Sequence, residues 1–279
     1  MNPLVSTDWL AARLDDADIA VLDATWFMPG APRDAGAEYA ERHIPGTGFF
    51  DIDKVCDLAS DLPHMLADPA DFAVAARRLG VNQGSRVVVY DAHGLFSAPR
   101  LWWNFRAMGH ADTVVLDGGL LKWRAEGRPL ESGWRPAIHG DFKSRPDAAL
   151  VRELNGVRAA VQAGDEQILD ARSAERFTGA APEPRAGLRG GHMPGAFNLP
   201  WSSLVRADGT LLPADALRDA FQATGIDLRG PITTSCGSGI SASLLVLALA
   251  RLGRRDVAVY DGSWSEWGAR VDTPVVAGP

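Results

Sequence analysis

Only two cysteines, Cys56 and Cys236, occur in 279 residues. A pair this sparse builds no disulfide framework, although counting alone leaves one bridge between them open. The stretch from Met1 to Asp8 has neither a basic segment nor an apolar run of the secretory kind. Reduced thiols in a cytoplasmic setting are therefore expected. Positive charge is also in deficit, with 28 Lys and Arg against 35 Asp and Glu, net -7. That balance opposes non-specific binding to nucleic acid or to an anionic membrane surface. No apolar run approaches the roughly 20 residues that span a bilayer. Cys and His nowhere cluster at ligand spacing, so neither a metal nor another cofactor is expected. What remains is the composition of a soluble globular chain, 46% hydrophobic and 23% charged, long enough for one large or two ordinary domains.

The chain repeats itself. An apolar strand ends in Leu22-Asp23-Ala24 and again in Leu169-Asp170-Ala171. His43-Ile44-Pro45-Gly46 follows the first, His192-Met193-Pro194-Gly195 the second. Ser97-Ala98 and Ser241-Ala242 each open a helix, and the turns Asp117-Gly118 and Asp261-Gly262 each precede a tryptophan-bearing helix. Between them, strands are expected at 18–24, 47–53, 86–91, 113–116 and 168–171, and helices at 68–80, from Ser97 onward and at 213–224. Strands alternating with helices give an α/β fold: two tandem domains, each a mostly parallel sheet with helices on both faces. The expected boundaries are a first domain at 1–135, a linker at 136–149 rich in Pro and Gly, and a second domain at 150–279. The histidines of the two His-x-Pro-Gly segments recur in both halves and are expected to be structural.

One stretch stands apart. Pro231-Ile232-Thr233-Thr234 reads as a buried strand and the strongly apolar run from Ala242 to Leu252 as a helix, with Ser235-Cys236-Gly237-Ser238-Gly239-Ile240-Ser241 between them. The first amides of that helix lack internal partners and favour negative charge, so Cys236 is expected to be a thiolate nucleophile. Gly237 and Gly239 let amides curl round the sulfur as an anion nest. A structural thiol has no need of such flanks. Cysteine phosphatases place an arginine six positions on, where this chain has Ala242, so a phosphoryl dianion is poorly served. The first half carries Asp91 where the second has Cys236, in a loop one residue longer, so the first domain is expected to lack the nucleophile and to wall the cleft.

These features together resemble the rhodanese superfamily, over nearly the whole chain. Cys236-Gly237-Ser238-Gly239-Ile240-Ser241-Ala242 is similar to the Cys-Gly-Ser-Gly-Val-Thr-Ala loop of its 3-mercaptopyruvate sulfurtransferase branch, with Ile-Ser for Val-Thr. Thiosulfate-using members instead carry Arg and Lys after the cysteine. The resemblance implies sulfur transfer through a Cys236 persulfide, with Gly237, Gly239, Ile240 and Ser241 holding the sulfur. It implies that Arg176 and Arg185, nine apart, grip the α-keto acid, and that Ser238, His64 and Asp53 form a proton relay. It further implies 3-mercaptopyruvate as donor and, as acceptor, a thiol such as that of a thioredoxin-like protein, or cyanide. A thiosulfate:cyanide sulfurtransferase and a non-catalytic persulfide carrier or redox sensor are the alternatives. Arg172 and Arg189 are expected to be ordinary solvated arginines, and Cys56 an ordinary thiol.

Overall fold

The computed structural model describes residues 2–278. The chain forms two compact units. The first comprises the residues up to Leu58, Leu66–Asp147 and Arg206–Leu211; the second comprises Ala59–Met65, Ala148–Val205 and the residues from Leu212 on.

In the first unit the elements run β1 (Leu4–Val5), α1 (Thr7–Ala11), β2 (Ile19–Asp23), α2 (Ala35–Glu41), β3 (Gly48–Phe49), α3 (Pro69–Arg78), β4 (Arg86–Tyr90), α4 (Ala98–Ala107), β5 (Thr113–Leu116) and α5 (Gly119–Ala125). In the second they run β6 (Val151–Arg152), α6 (Leu154–Ala163), β7 (Gln167–Asp170), α7 (Ala174–Thr178), β8 (Phe197–Asn198), α8 (Ala214–Ala223), β9 (Ile232–Ser235), α9 (Ala242–Arg251), β10 (Ala258–Tyr260) and α10 (Ser263–Trp267). The sheets are ordered β1-β5-β4-β2-β3 and β6-β10-β9-β7-β8, parallel throughout. The two orders are the same, so the repeat in the sequence is a repeat of topology.

Burial explains the unbroken apolar runs. Val87 to Tyr90 in β4 have no exposed surface, as a parallel strand covered on both faces requires. Every residue of α9 from Ala242 to Ala250 is buried. At α3 the Asp68 side chain accepts from the Ala70 amide and Pro69 occupies the first turn, where no amide is needed. The strand expected at 47–53 shrinks to Gly48–Phe49. Past it, the amides of Lys54 and Val55 both donate to the Asp51 carbonyl, and this turn leaves no extended backbone to pair. The Pro- and Gly-rich stretch 128–147 holds no helix, but it is not loose. The amides of Gly140, Phe142, Arg145 and Asp147 donate to carbonyls of Arg77, Val81, Met108 and Ala107, and Phe142 is buried against Phe72, Phe105 and His110. His43 and His192 play matched parts: each is buried, each stacks on the aromatic ring of Tyr39 or Phe177, and each Nδ1 meets that residue's carbonyl. Among the described residues no helix is long and apolar enough to cross a membrane.

The buried Asp23 ends β2. Burial pushes its carboxyl up to about 7, against the lowering effect of hydrogen bonds from Thr25, and the nearby Asp91 carboxylate adds to the rise. A carboxyl raised on folding holds its proton in the folded state while the unfolded chain releases it. Its stabilising effect is therefore full below about pH 4 and lost as pH climbs through about 7, a swing of roughly 4 kcal/mol. Asp23→Asn should abolish this swing. Denaturant titrations between pH 4 and 8 should show the variant gaining on the parent as pH rises; a constant difference would contradict the assignment.

Candidate active site

In the second unit β7 leads to β8 on one side, while β9 leads to β10 on the other. Ligands of open parallel sheets bind at the C-terminal ends of strands flanking such a reversal. Asp170 and Ser235, the last residues of β7 and β9, pair across it. The next residues in the chain are the 171–176 segment and Cys236.

Cys236 is buried, 2% exposed, and is a free thiol. The peptide units that follow it are held from behind by the start of α10. Trp264 N donates to the Cys236 carbonyl at 2.9 Å, and both the amide and the hydroxyl of Ser265 donate to the Gly237 carbonyl at 2.9 and 2.7 Å. Ser263 Oγ accepts from Cys236 N at 3.2 Å and donates to the Tyr260 carbonyl. With these carbonyls engaged, their lone pairs are committed to α10. Gly239 takes φ +79°, a left-handed conformation open to glycine, and the loop turns there into α9. Among the described residues no hydrogen bond engages the amides of Gly237 to Ala242.

The first unit shows what such a loop holds. Asp91 follows β4 as Cys236 follows β9. Its Oδ2 accepts from the amides of Phe96, Ser97 and Ala98 at 2.7–2.8 Å, and its Oδ1 from His93 N at 2.8 Å. The Leu120 amide donates to the Asp91 carbonyl, as Trp264 does to Cys236. Aligned on Ser97-Ala98 and Ser241-Ala242, the three amides gripping the carboxylate correspond to those of Ile240, Ser241 and Ala242. In the first unit the turn thus cradles a carboxylate of its own chain; the corresponding turn of the second unit follows a cysteine.

Two arginines converge on the loop. A Cβ built on Gly237 would lie 3.1 Å from Arg176 Nη2 and 3.9 Å from Arg185 Nη1, so both guanidiniums come close to the backbone beside Cys236. Arg185 Nη2 lies 3.5 Å from His64 Nε2. His64 is buried in the 59–65 segment and has a positive φ of 60°, in the left-handed region that few residues other than glycine adopt. Ser238 is buried within the loop. Asp53 belongs to the first unit, where its Oδ2 accepts from Trp26 Nε1 at 2.9 Å and its carbonyl accepts from the Cys56 thiol. Burial raises the Cys56 thiol above the usual range, with the Asp53 and Asp57 carboxylates adding to it, so this cysteine is the poorer nucleophile of an ordinary thiol.

Two arginines depart from expectation. Arg172 is not solvated: it has no exposed side-chain surface, forks onto Asp170, pairs with Glu183 at 2.7 Å and lies over the Trp264 ring. Burial works against its charge, but the Asp170 and Glu183 carboxylates outweigh it and raise its pKa. Arg189 donates to the carbonyls of Trp267, Gly268 and Thr273 and so ties α10 to the loop before β8. The sequence reading also passed over Glu183, Ser263 and Ser265. Their signals were present, Glu183 between two prolines and the serines after the Asp-Gly turn, but each acts by a contact that spacing does not display.

Among the described residues no group of His, Cys, Asp and Glu is arranged to hold a metal ion. Residues 6–126 and 153–270 each match the rhodanese-like domain family. The 3-mercaptopyruvate sulfurtransferase of Escherichia coli strain K12 is 46% identical over 272 residues, covering 97% of this chain and 96% of that protein. Thiosulfate/3-mercaptopyruvate sulfurtransferase 1 of Arabidopsis thaliana mitochondria is 41% identical over 299 residues, covering 98% of this chain and 78% of that protein. The crystal structure of SseA from Escherichia coli superposes with a TM-score of 0.87 at 43% identity, covering 95% of this chain and all of that one. The chain therefore belongs to the two-domain rhodanese family, among relatives named 3-mercaptopyruvate sulfurtransferases.

Proposed function

We propose that this protein transfers sulfur from 3-mercaptopyruvate through a persulfide on Cys236 to a thiol acceptor or cyanide, releasing pyruvate. The observation that carries the reading is the approach of Arg176 and Arg185 to Gly237, beside the thiol, in a loop with no cationic side chain of its own. Two guanidiniums suit a planar α-keto carboxylate, whose oxygens match their N–H forks. The Cys236 thiolate attacks the substrate sulfur. The C–S bond breaks, and its electron pair passes into an enolate delocalised over the adjacent carbonyl. The proton from the substrate thiol ends on the former C–S carbon, giving pyruvate and leaving an anionic persulfide. The amides of Ile240, Ser241 and Ala242 hold that anion, as their counterparts hold the Asp91 carboxylate. A second thiol, such as a thioredoxin-like dithiol, then takes the outer sulfur and restores Cys236.

Ser238, buried in the loop beside Cys236, is suited to carry the proton, and the rhodanese resemblance assigns His64 and Asp53 to the same relay. Ser238→Ala should lower kcat for mercaptopyruvate about 100-fold with little change in KM. An unchanged kcat would remove the relay from the mechanism.

Steady-state assays with both donors test the proposal. A clear preference for mercaptopyruvate is expected, with cyanide or a dithiol as acceptor. A clear preference for thiosulfate, the other donor named for the Arabidopsis relative, would overturn it. A Cys236 that accepts modification without turnover on either donor would mark a persulfide carrier instead.

A further inference from the structure

We infer that Glu183 is a specificity-determining residue: its carboxylate aims Arg176 at the sulfur-accepting loop and cancels one positive charge there, tuning the site to a monoanionic donor. The inference rests on the sulfur-transfer reading above. Asp170, Arg172, Glu183 and Arg176 form one chain of ion pairs, with contacts of 2.5–2.7 Å at each link. Side-chain exposure along it is 3%, 0%, 1% and 23%, so Arg176 is the end that reaches the site. Glu183 receives Arg176 Nη2 on one oxygen and shares the other between Arg172 Nη1 and Arg176 Nε. Nη2, the nitrogen nearest Gly237, is thus also the one that Glu183 fixes. Arg172 is fixed in turn by Asp170, the Gly191 carbonyl and the Trp264 ring.

A buried carboxylate this close to a substrate-facing guanidinium has an electrostatic consequence. A donor reaching Arg176 also meets the field of Glu183, in a poorly hydrated setting where charges act strongly. Mercaptopyruvate with its thiol protonated carries one negative charge; thiosulfate carries two. The second charge interacts less favourably with a guanidinium already paired than with one unpaired. Glu183 therefore penalises the dianion more than the monoanion, and it does so without touching either.

Glu183→Gln keeps the side-chain length and one acceptor oxygen but removes the charge. The ratio of kcat/KM for thiosulfate to that for mercaptopyruvate should rise about tenfold in this variant. Glu183→Asp, which keeps the charge, should hold the wild-type ratio even where KM rises for both donors. A merely structural role would weaken both donors alike in Glu183→Gln, and an unchanged ratio overturns the inference. A wild-type protein that releases no pyruvate would instead defeat the functional proposal itself. The wild type offers a second test that needs no folded variant. Oxalate and pyruvate are small planar inhibitors differing by one charge, and oxalate should compete with mercaptopyruvate no more tightly than pyruvate does. Oxalate binding tenfold tighter would also overturn the role of Glu183.

Discussion

Cys236→Ser should leave pyruvate release from 3-mercaptopyruvate at the solution background, a loss of about 10⁴-fold or more. Serine fits the site, since Cys236 is held through its backbone N–H by Ser263 and its carbonyl by Trp264, and neither contact involves the side chain. The fold should therefore survive while the sulfur acceptor is lost. An alcohol is a far weaker nucleophile toward sulfur at neutral pH, and the persulfide has no oxygen counterpart that passes sulfur on. Pyruvate release assayed with a dithiol acceptor, alongside a thermal melt, measures both expectations. Cys56 is a poor substitute, because burial and the neighbouring Asp53 and Asp57 carboxylates raise its thiol above the usual range. Substantial turnover in Cys236→Ser would move the chemistry elsewhere in the chain.

Arg176→Gln and Arg185→Gln should each raise KM for mercaptopyruvate by about 100-fold, with smaller effects on kcat. A charge-assisted, forked contact to a carboxylate is among the stronger hydrogen-bonded interactions, and glutamine retains neither charge nor fork. The two variants should differ in stability. Arg176→Gln leaves Glu183, with 1% exposure, paired only with Arg172. Part of the ion-pair chain is thereby lost from a buried setting, which should lower the melting temperature. Arg185→Gln leaves the Asp170–Arg172–Glu183–Arg176 chain intact and should melt closer to the parent. Kinetics with thiosulfate supply the control: KM should change much less, since thiosulfate has no carboxylate for the fork to match. Equal effects on both donors would count against carboxylate recognition.

The sequence makes the topology legible because its signals are local. Val87 to Tyr90 can only be a doubly covered strand, and Asp68-Pro69 can hardly be other than a helix start. The Leu-Asp-Ala and His-x-Pro-Gly landmarks mark a repeat that the two sheets share strand for strand. The short elements are harder to read. β1, β6 and β8 contain two residues each, too few to show a period, and exist because longer neighbours offer them a ladder. The site divides in the same way. Gly237 and Gly239 stand out beside Cys236 because a nest needs glycine at such turns. Arg172 does not reveal its burial, because nothing in Ala171-Arg172-Ser173 discloses that Asp170, Glu183 and Trp264 close round it in space. Asp91 has the reverse history. In the sequence it marks only a missing nucleophile; in the structure its four amide contacts show an anion held by this turn.

The central claim is that the Cys236 loop receives sulfur. Intact-protein and peptide mass spectrometry after a brief exposure to 3-mercaptopyruvate, without an acceptor, tests it most directly. The peptide containing Cys236 should become heavier by one sulfur atom, with one pyruvate released per chain, and cyanide should restore the original mass. Pyruvate formed with no added sulfur on that peptide, or sulfur found on Cys56 instead, would contradict the account.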